Sequence, residues 1–366
     1  MLLINSFEEH GKSLTFNRRD TFALEKYLGN KMKKNILAIA IVAATSAGTA
    51  QAGYELFNDG EQTVSLGGRI QPMTIHENGN SYDMHRARLD LKINRTISET
   101  MTGFARWESQ WRQNTGQSNI KVYAGVKSGD HAIQWGRTGG SQGLVTNMTD
   151  ITSWFGGAAT NKLNVGNEMD GVIHYTGSFG SLEIQADVAT AKTDTETRKN
   201  GNIWSDTLVK DTVNATTTTS GYSVGAKYKT DMGVAFGLTA GQEEYEKTLA
   251  NQETEDTKAT NYVAAVSYSA GPAYVAASYV TGTRAEKDRS GFELASSYKT
   301  GDFKFYGLYQ DRKDENAQGK KEQAVKAYVA GARYYFAPSL WADVIYNFDK
   351  IEGNKDQVFL DLRYNF

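Results

Sequence analysis

Side chains able to break covalent bonds are scarce in this sequence and poorly spaced for it. The chain has no Cys, so thiolate nucleophiles, disulfide frameworks and Cys-ligated zinc are excluded. His76, His85, His131 and His174 stand singly, without the i,i+4 pairing that would hold a metal. No Ser stands out beside a paired base, as a hydrolase would need. Gly136-Arg137-Thr138-Gly139-Gly140 has the glycine density of a phosphate loop but lacks Gly-Lys-Ser/Thr and a following helix. No cofactor or metal site is expected. What the chain does carry is charge in rows. Arg86 and Arg88 lie two residues apart, hence on one face of an extended strand. Asp361, Arg363 and Asn365 repeat that spacing. Such rows shape an electric field and the passage of charged or polar solutes; they perform no chemical step.

The elements that would carry these rows are strands. Val358, Leu360, Leu362, Tyr364 and Phe366 occupy the face opposite Asp361, Arg363 and Asn365. Leu340, Ala342, Val344, Tyr346 and Phe348 alternate against Asp343, Asn347 and Asp349, and Leu182, Ile184, Ala186 and Val188 against Glu183, Gln185 and Asp187. Period two is the signature of a strand with two unlike faces. Sixteen such segments run in order: 63–75, 83–97, 100–113, 120–128, 131–138, 170–178, 180–190 and 220–230, then 233–245, 260–270, 273–283, 290–299, 303–312, 324–336, 340–351 and 357–366. Short turns at Thr230-Asp231-Met232, Ala270-Gly271-Pro272, Thr300-Gly301-Asp302 and Ala337-Pro338-Ser339 alternate with polar stretches at 191–219, 246–259, 284–289 and 313–323. Even strand number, short turns at one end and long loops at the other describe an up-and-down transmembrane barrel. A soluble sandwich would not need so densely charged a second face.

Composition agrees. Among 366 residues there are 36 Gly and 20 Tyr but only 3 Pro, and mean hydropathy is −0.53. Helical spans of about 20 apolar residues are excluded by that hydropathy. With 40 Lys+Arg against 42 Asp+Glu, the basic bias of a nucleic-acid binder is missing too.

The N-terminal region reads as an address. Met32-Lys33-Lys34, the apolar run Ile36 to Ala47 and Ala50-Gln51-Ala52 are the three parts of a secretory signal peptide. Residues 32–52 are expected to be removed after Ala52, leaving 53–366 as the barrel. Residues 1–31 read as an upstream extension or a misassigned start.

At this level of detail the chain resembles the trimeric, 16-stranded general diffusion porins of Gram-negative outer membranes. The resemblance rests on Val64-Ser65-Leu66-Gly67-Gly68-Arg69, on Arg86-Ala87-Arg88-Leu89 leading to Thr102-Gly103-Phe104-Ala105-Arg106-Trp107-Glu108, and on Tyr123-Ala124-Gly125-Val126-Lys127 through Gly136-Arg137. Thr149-Asp150 before Phe155-Gly156-Gly157, and the terminal Phe366, complete it. It implies an all-β, 16-stranded antiparallel barrel whose third loop, about Thr138 to Asn167, folds inward as a constriction. It implies a water-filled channel for passive diffusion of small hydrophilic solutes and ions. In the family a basic ladder faces a loop carboxylate; here Arg69, Arg86, Arg88 and Arg137 match the ladder, and Asp150, with Trp154, Phe155, Gly156 and Gly157, matches the loop. Leu360, Leu362, Tyr364 and Phe366 resemble the signal read by the barrel-assembly machinery. Expected partners are two further copies in a homotrimer, outer-membrane lipid and lipopolysaccharide, and permeating solutes, but no nucleic acid.

Two departures weaken the family pattern. Its second loop carboxylate is Trp154 here, and its wall Arg after the loop is Asn167, while Glu168 and Asp170 offer replacement acid. The plain alternative for the arginines is salt bridging to Glu108 and Asp90, inward by the same parity. Rival functions are a sugar-specific channel lined by Trp154, Trp107 and Trp111, although parity turns the last two toward lipid, and an outer-membrane barrel enzyme. Adhesion or phage attachment by the long loops would be an added role.

Overall fold

The computed structural model describes residues 53–113, 116–190, 193–196, 215–248, 254–285, 287–316 and 318–366. The readings of residues 1–31 and 32–52 lie outside them. The strands are β1 (Tyr54–Asn58), β2 (Gln62–Gln71), β3 (Met73–Glu77), β4 (Asn80–Asp83), β5 (Arg86–Ser98), β6 (Met101–Arg112), β7 (Gly116–Ser128), β8 (His131–Gly139), β9 (Glu168–Phe179) and β10 (Leu182–Ala189). Then come β11 (Thr193–Glu196), β12 (Ala215–Lys229), β13 (Val234–Thr248), β14 (Thr254–Ala270), β15 (Ala273–Arg284), β16 (Lys287–Thr300), β17 (Phe303–Glu315), β18 (Lys321–Ala337), β19 (Leu340–Asp349) and β20 (Gln357–Asn365). One short helical turn, α1 (Gly143–Thr146), lies between β8 and β9.

With β2–β3, β4–β5 and β10–β11 each taken as one interrupted strand, every strand pairs antiparallel with the next. β20 returns to pair with β3 and β2, which closes the sheet. Pro72, which has no N–H to give a ladder, separates β2 from β3, and both pair with the β4–β5 stretch. β10 and β11 likewise share β12 as partner. Joining these pieces, and counting β1 as a short flap on β2, the barrel has 16 antiparallel strands. At the seam, Phe366 donates its N–H to Gly68 O at 3.0 Å and accepts from Gly68 N at 2.9 Å. A Cβ at Gly68 would meet the Arg88 carbonyl oxygen and the Phe366 ring, so only glycine admits that terminal aromatic. Leu360, Leu362 and Tyr364 line the outer face beside it, each 38–44% exposed.

All sixteen expected segments lie on strands, but the strands run further. The stretches at 191–219, 246–259, 284–289 and 313–323 hold strand ends as well as loops: β12 starts at Ala215 and pairs with β11, β13 reaches Thr248, and β18 starts at Lys321. Above the bilayer both faces are wet, so backbone pairing continues after the apolar alternation that advertises it has stopped.

The outer face carries two bands of rings. At one end Phe303 and Tyr334 lie 4.8 Å apart and Tyr334 and Phe336 4.9 Å; toward the other, Tyr309 and Tyr328 lie 4.7 Å apart and Tyr346 and Phe348 4.1 Å. Amphipathic rings at both edges of an apolar band are what a bilayer's two interfaces favour.

Candidate pore constriction

The segment 140–167 between β8 and β9 folds into the barrel, and the wall side chains it meets explain why it stays. Loop backbone groups away from bulk water need partners. Glu293 on β16 supplies two acceptors: Oε2 takes the Thr149 hydroxyl at 2.6 Å and Oε1 the Ala159 N–H at 3.0 Å. Gln310 on β17 accepts from Ala158 N at 2.9 Å and donates to Phe155 O at 2.7 Å. Asp187 on β10 accepts the Ser141 N–H at 2.6 Å, and Glu243 on β13 that of Val165 at 3.3 Å. Arg333 on β18 is bonded to Asp343 and reaches Ser153 at 2.7 Å. Each polar group lies on the inward parity of its strand.

Apolar contacts fill the gaps. Leu144, Val145 and Met148 pack on Val263 and Val280; Leu163 and Val165 pack on Val172 and Tyr245. At the tip, Trp154 stacks on Phe359 with centroids 5.2 Å apart, and Phe155 meets the same ring edge-on at 6.3 Å. Phe359 itself is fully buried against Ile75 and Ile345. Trp154 thus anchors the loop to the last strand.

The Phe155-Gly156-Gly157 bend follows from Asp150. Phe155 and Gly157 take positive φ, 68° and 73°, and a Cβ on Gly156 would fall on Asp150 Oδ1. The Asp150 side chain therefore lies over the bend. It is exposed to the water of the lumen but crowded by surrounding protein, which raises its carboxyl above the usual aspartate range, while Lys162 of the same loop opposes the rise.

Arg69, Arg86 and Arg88 do come together, on the wall the loop leaves uncovered. Arg69 on β2 is the register partner of Arg88 on β5, and Gln71 of Arg86. Arg88 donates to Glu108 and to Gln110, both at 2.7 Å. Arg106 spans Asp90 at 2.7 Å and Glu108 at 3.1 Å. The salt-bridged reading therefore holds for Arg88. Arg86 instead donates to Gln71 Oε1, at 2.9 Å from Nε, and among the described residues the Arg69 side chain has no hydrogen bond or ion pair, its Nε buried without a partner. The aqueous space continues as a cavity of about 540 Å³ between the loop and the wall of β6–β12, bordered by Lys121, Lys162, Lys227, Asn167, Glu168 and Glu183.

Arg137 departs from the expected ladder. Its register partner is Val122, whose neighbours on that face are the outward Trp107 and Trp135, and its guanidinium pairs with the exposed Asp170 at 3.1 Å. It shares parity with Ile133 and Trp135, so β8 turns it outward with them; Asp170 goes with it, while Glu168 pairs with Lys121 at 3.1 Å in the lumen. Trp107 and Trp111 face outward as parity requires.

Comparison with known proteins agrees with this architecture. Residues 38–354 match the Gram-negative porin family. Outer membrane protein U of Vibrio parahaemolyticus is 28% identical over 92% of this chain and all of its own length. Outer membrane porin F of Escherichia coli is 27% identical over the same shares. Among solved structures, Salmonella typhi OmpF in complex with daunomycin superposes with a TM-score of 0.69 at 20% identity, over 86% of this chain and 100% of that one. Vibrio cholerae OmpT in its trimer form gives 0.64 at 16%, over 84% and 100%. A closed, inward-looped barrel with a charged lumen, matched over most of its length, makes this chain a member of the Gram-negative porin family, an outer-membrane channel for general diffusion.

Proposed function

We propose that permeation is limited between the loop 140–167 and the wall of β2, β5, β6 and β7, with Arg69, Arg86 and Arg88 setting the field on one side and Asp150 on the other. The observation that carries this is the division of the lumen: the β13–β19 side is taken up in holding the loop, and the arginine side is left to water. Charges beside a narrow aqueous path bias which ions pass, and arginine keeps its charge at any working pH. Solutes are sorted by size and then by charge, with no bond made or broken. Trp154, spent on Phe359, supports general diffusion over an aromatic sugar path.

The functional unit is a homotrimer. Its contact face is the outer wall of β5–β8, where a groove of about 510 Å³ is lined by Leu91, Ile93, Ala105, Trp107, Val122 and Trp135. Arg137 and Asp170 sit beside that groove through Gly136 and Gly171. A charge facing lipid near mid-membrane costs about 2–4 kcal/mol, a penalty avoided when protein covers it. Outer-membrane lipid and lipopolysaccharide then meet the ring-bearing remainder, and Leu360, Leu362, Tyr364 and Phe366 are read by the assembly machinery.

The test is single-channel recording in a planar bilayer of protein purified from outer membranes. Large, stable openings that close in three equal steps are expected, and a salt gradient gives the sign of selectivity. A folded protein without conductance would overturn the reading.

A further inference from the structure

Where the last strand meets the first, the lumen wall gathers hydrogen-bond donors that lack acceptors. Arg69 is the register partner of Asn365, and Arg363 lies two residues along on the same face. Trp341 on β19 is the register partner of Arg363, and the Arg363 guanidinium sits 5.2 Å from its ring, with that of Arg333 at 5.3 Å. Arg69 Nε, Arg363 Nε and Trp341 Nε1 are all buried without a hydrogen-bond partner. Charge is out of balance as well. Arg333 is matched by Asp343, Arg88 by Glu108 and Arg363 by Asp361 at 3.4 Å. Arg86 is bonded to the neutral amide of Gln71, and Arg69 to nothing. Even so, Arg69, Arg86, Arg88 and Arg363 lie near enough to repel one another. Beside Arg69 and Arg88 opens a cavity of about 190 Å³, also bordered by Lys92 and by Asp90 and Glu108, two carboxylates already paired with Arg106 and Arg88.

Clustered guanidiniums that outnumber their counter-charges, away from bulk water, are stabilised by an anion. Their forked N–H groups match the oxygens of a phosphate better than they match chloride. We infer that Arg69, Arg86 and Arg363, with the Trp341 N–H, form a phosphate-binding subsite on the lumen wall, taking inorganic phosphate or the phosphate group of a small permeating solute. Asp361 tunes the site: its Oδ2 is held by Gln71 at 2.8 Å and by Arg363, while its buried Oδ1 has no donor and is the acceptor a monoprotonated phosphate O–H would meet. Trp341 and Arg363 lie outside the ladder that resemblance to the family picks out. The inference rests on the pore reading, because only solutes entering the barrel reach this wall.

The experiment is single-channel recording in KCl at constant ionic strength and neutral pH, with inorganic phosphate titrated in. A saturable fall in current is expected. Arg69→Gln should raise the half-effective concentration at least tenfold, and Trp341→Phe, which keeps the packing but removes the N–H, severalfold. Lys229→Gln, at the exposed end of β12 on the strand's inward parity, should leave it where it was. Each variant is compared with its own phosphate-free current after passing a heat-modifiability gel as a folded barrel; Arg363→Gln replaces Arg69→Gln if the latter does not fold. Action by inorganic phosphate alone assigns the free ion, and action by glucose 6-phosphate as well assigns a solute's phosphate group. An equal effect from glucose, no saturable effect, or the same response in the folded arginine variant would overturn the subsite while ordinary conductance persists. Loss of all current in the native protein would overturn the pore reading and the subsite together.

Discussion

The two halves of this lumen are written in the same alternating code and do opposite work. On β13–β19 the inward residues are mostly acceptors and small or apolar groups: Glu243, Asn261, Glu293, Gln310 and Asp343, interleaved with Val263, Ala276 and Leu308. They are buried because the loop lies on them. On β2, β5 and β6 the inward charges are Arg69, Arg86, Arg88, Asp90, Arg106 and Glu108, engaged with each other, with the wall glutamines Gln71 and Gln110 or, for Arg69, with nothing. A carboxylate under a loop is a backbone acceptor, whereas a guanidinium on the open wall is a field source. Which task a polar residue performs follows from what covers it.

Excising residues 144–163 should produce the largest change, since the obstruction goes and the acceptors of β13–β19 join the aqueous wall. Single-channel conductance should rise severalfold and the size limit for sugars should relax in liposome swelling. Little change in either would mean that the loop does not set the aperture. Glu293→Ala should act through the same half more gently. It leaves the Ala159 N–H without an acceptor, at about 1–3 kcal/mol, and the Thr149 hydroxyl with only its longer contacts to Thr146 O and Ser278 Oγ; the loss should appear as current fluctuation and faster protease cleavage within the loop. Quiet channels with an intact loop would show that the remaining anchors suffice.

The open half is addressed by charge. Arg88→Gln removes a cation and leaves Glu108 with Arg106, so the reversal potential in a salt gradient should move toward cation preference. Asp150→Asn should move it the other way, and shifts of equal sign would break the opposition between wall and loop. The pH dependence has a defined sign. Free aspartate titrates near pH 3.9, and Asp150, raised by its crowded surroundings, takes up its proton at higher pH. Acidification should therefore remove the loop charge earlier than for an ordinary aspartate and lower cation preference, and Asp150→Asn should abolish that part of the change.

Much of this comparison is legible in residue types, and the limits have physical causes. Alternation reveals a strand when its two faces meet unlike solvents, which is why the sixteen membrane-crossing segments stand out and the extensions of β12 and β14 do not. The Arg88–Glu108 pair is readable because the partners are diagonal neighbours on one face of adjacent strands, Arg88 opposite Gln110 and Glu108 opposite Asp90. Glu293 as the loop's anchor is not, since its partner Thr149 is 144 residues away in the chain and nothing near Glu293 distinguishes it from other inward acids. Arg137 illustrates another limit: its motif matches the family's ladder, but the parity of its own strand, where Ile133 and Trp135 mark the outer face, turns it outward. Trp154 shows the reverse, a residue that breaks the family pattern and finds its reason only in Phe359.

The smallest expected effect tests how finely the loop's charge is placed. A Cβ on Gly156 would come within 2.0 Å of Asp150 Oδ1 and 2.9 Å of Thr152 Oγ1. Gly156 has no positive φ, so Gly156→Ala carries no backbone penalty of the kind Gly157→Ala would, with φ at 73°. The atom displaced is the far end of a short side chain that can rotate at a cost of about 1 kcal/mol. The barrel should therefore keep its thermal stability while the Asp150 carboxylate swings off the bend. If the position of that charge matters, the reversal potential should shift by a fraction of the Asp150→Asn change at nearly constant conductance. If Gly156→Ala matches the native protein in selectivity, the loop's contribution is the presence of an acid, and the glycine serves only to let the chain turn.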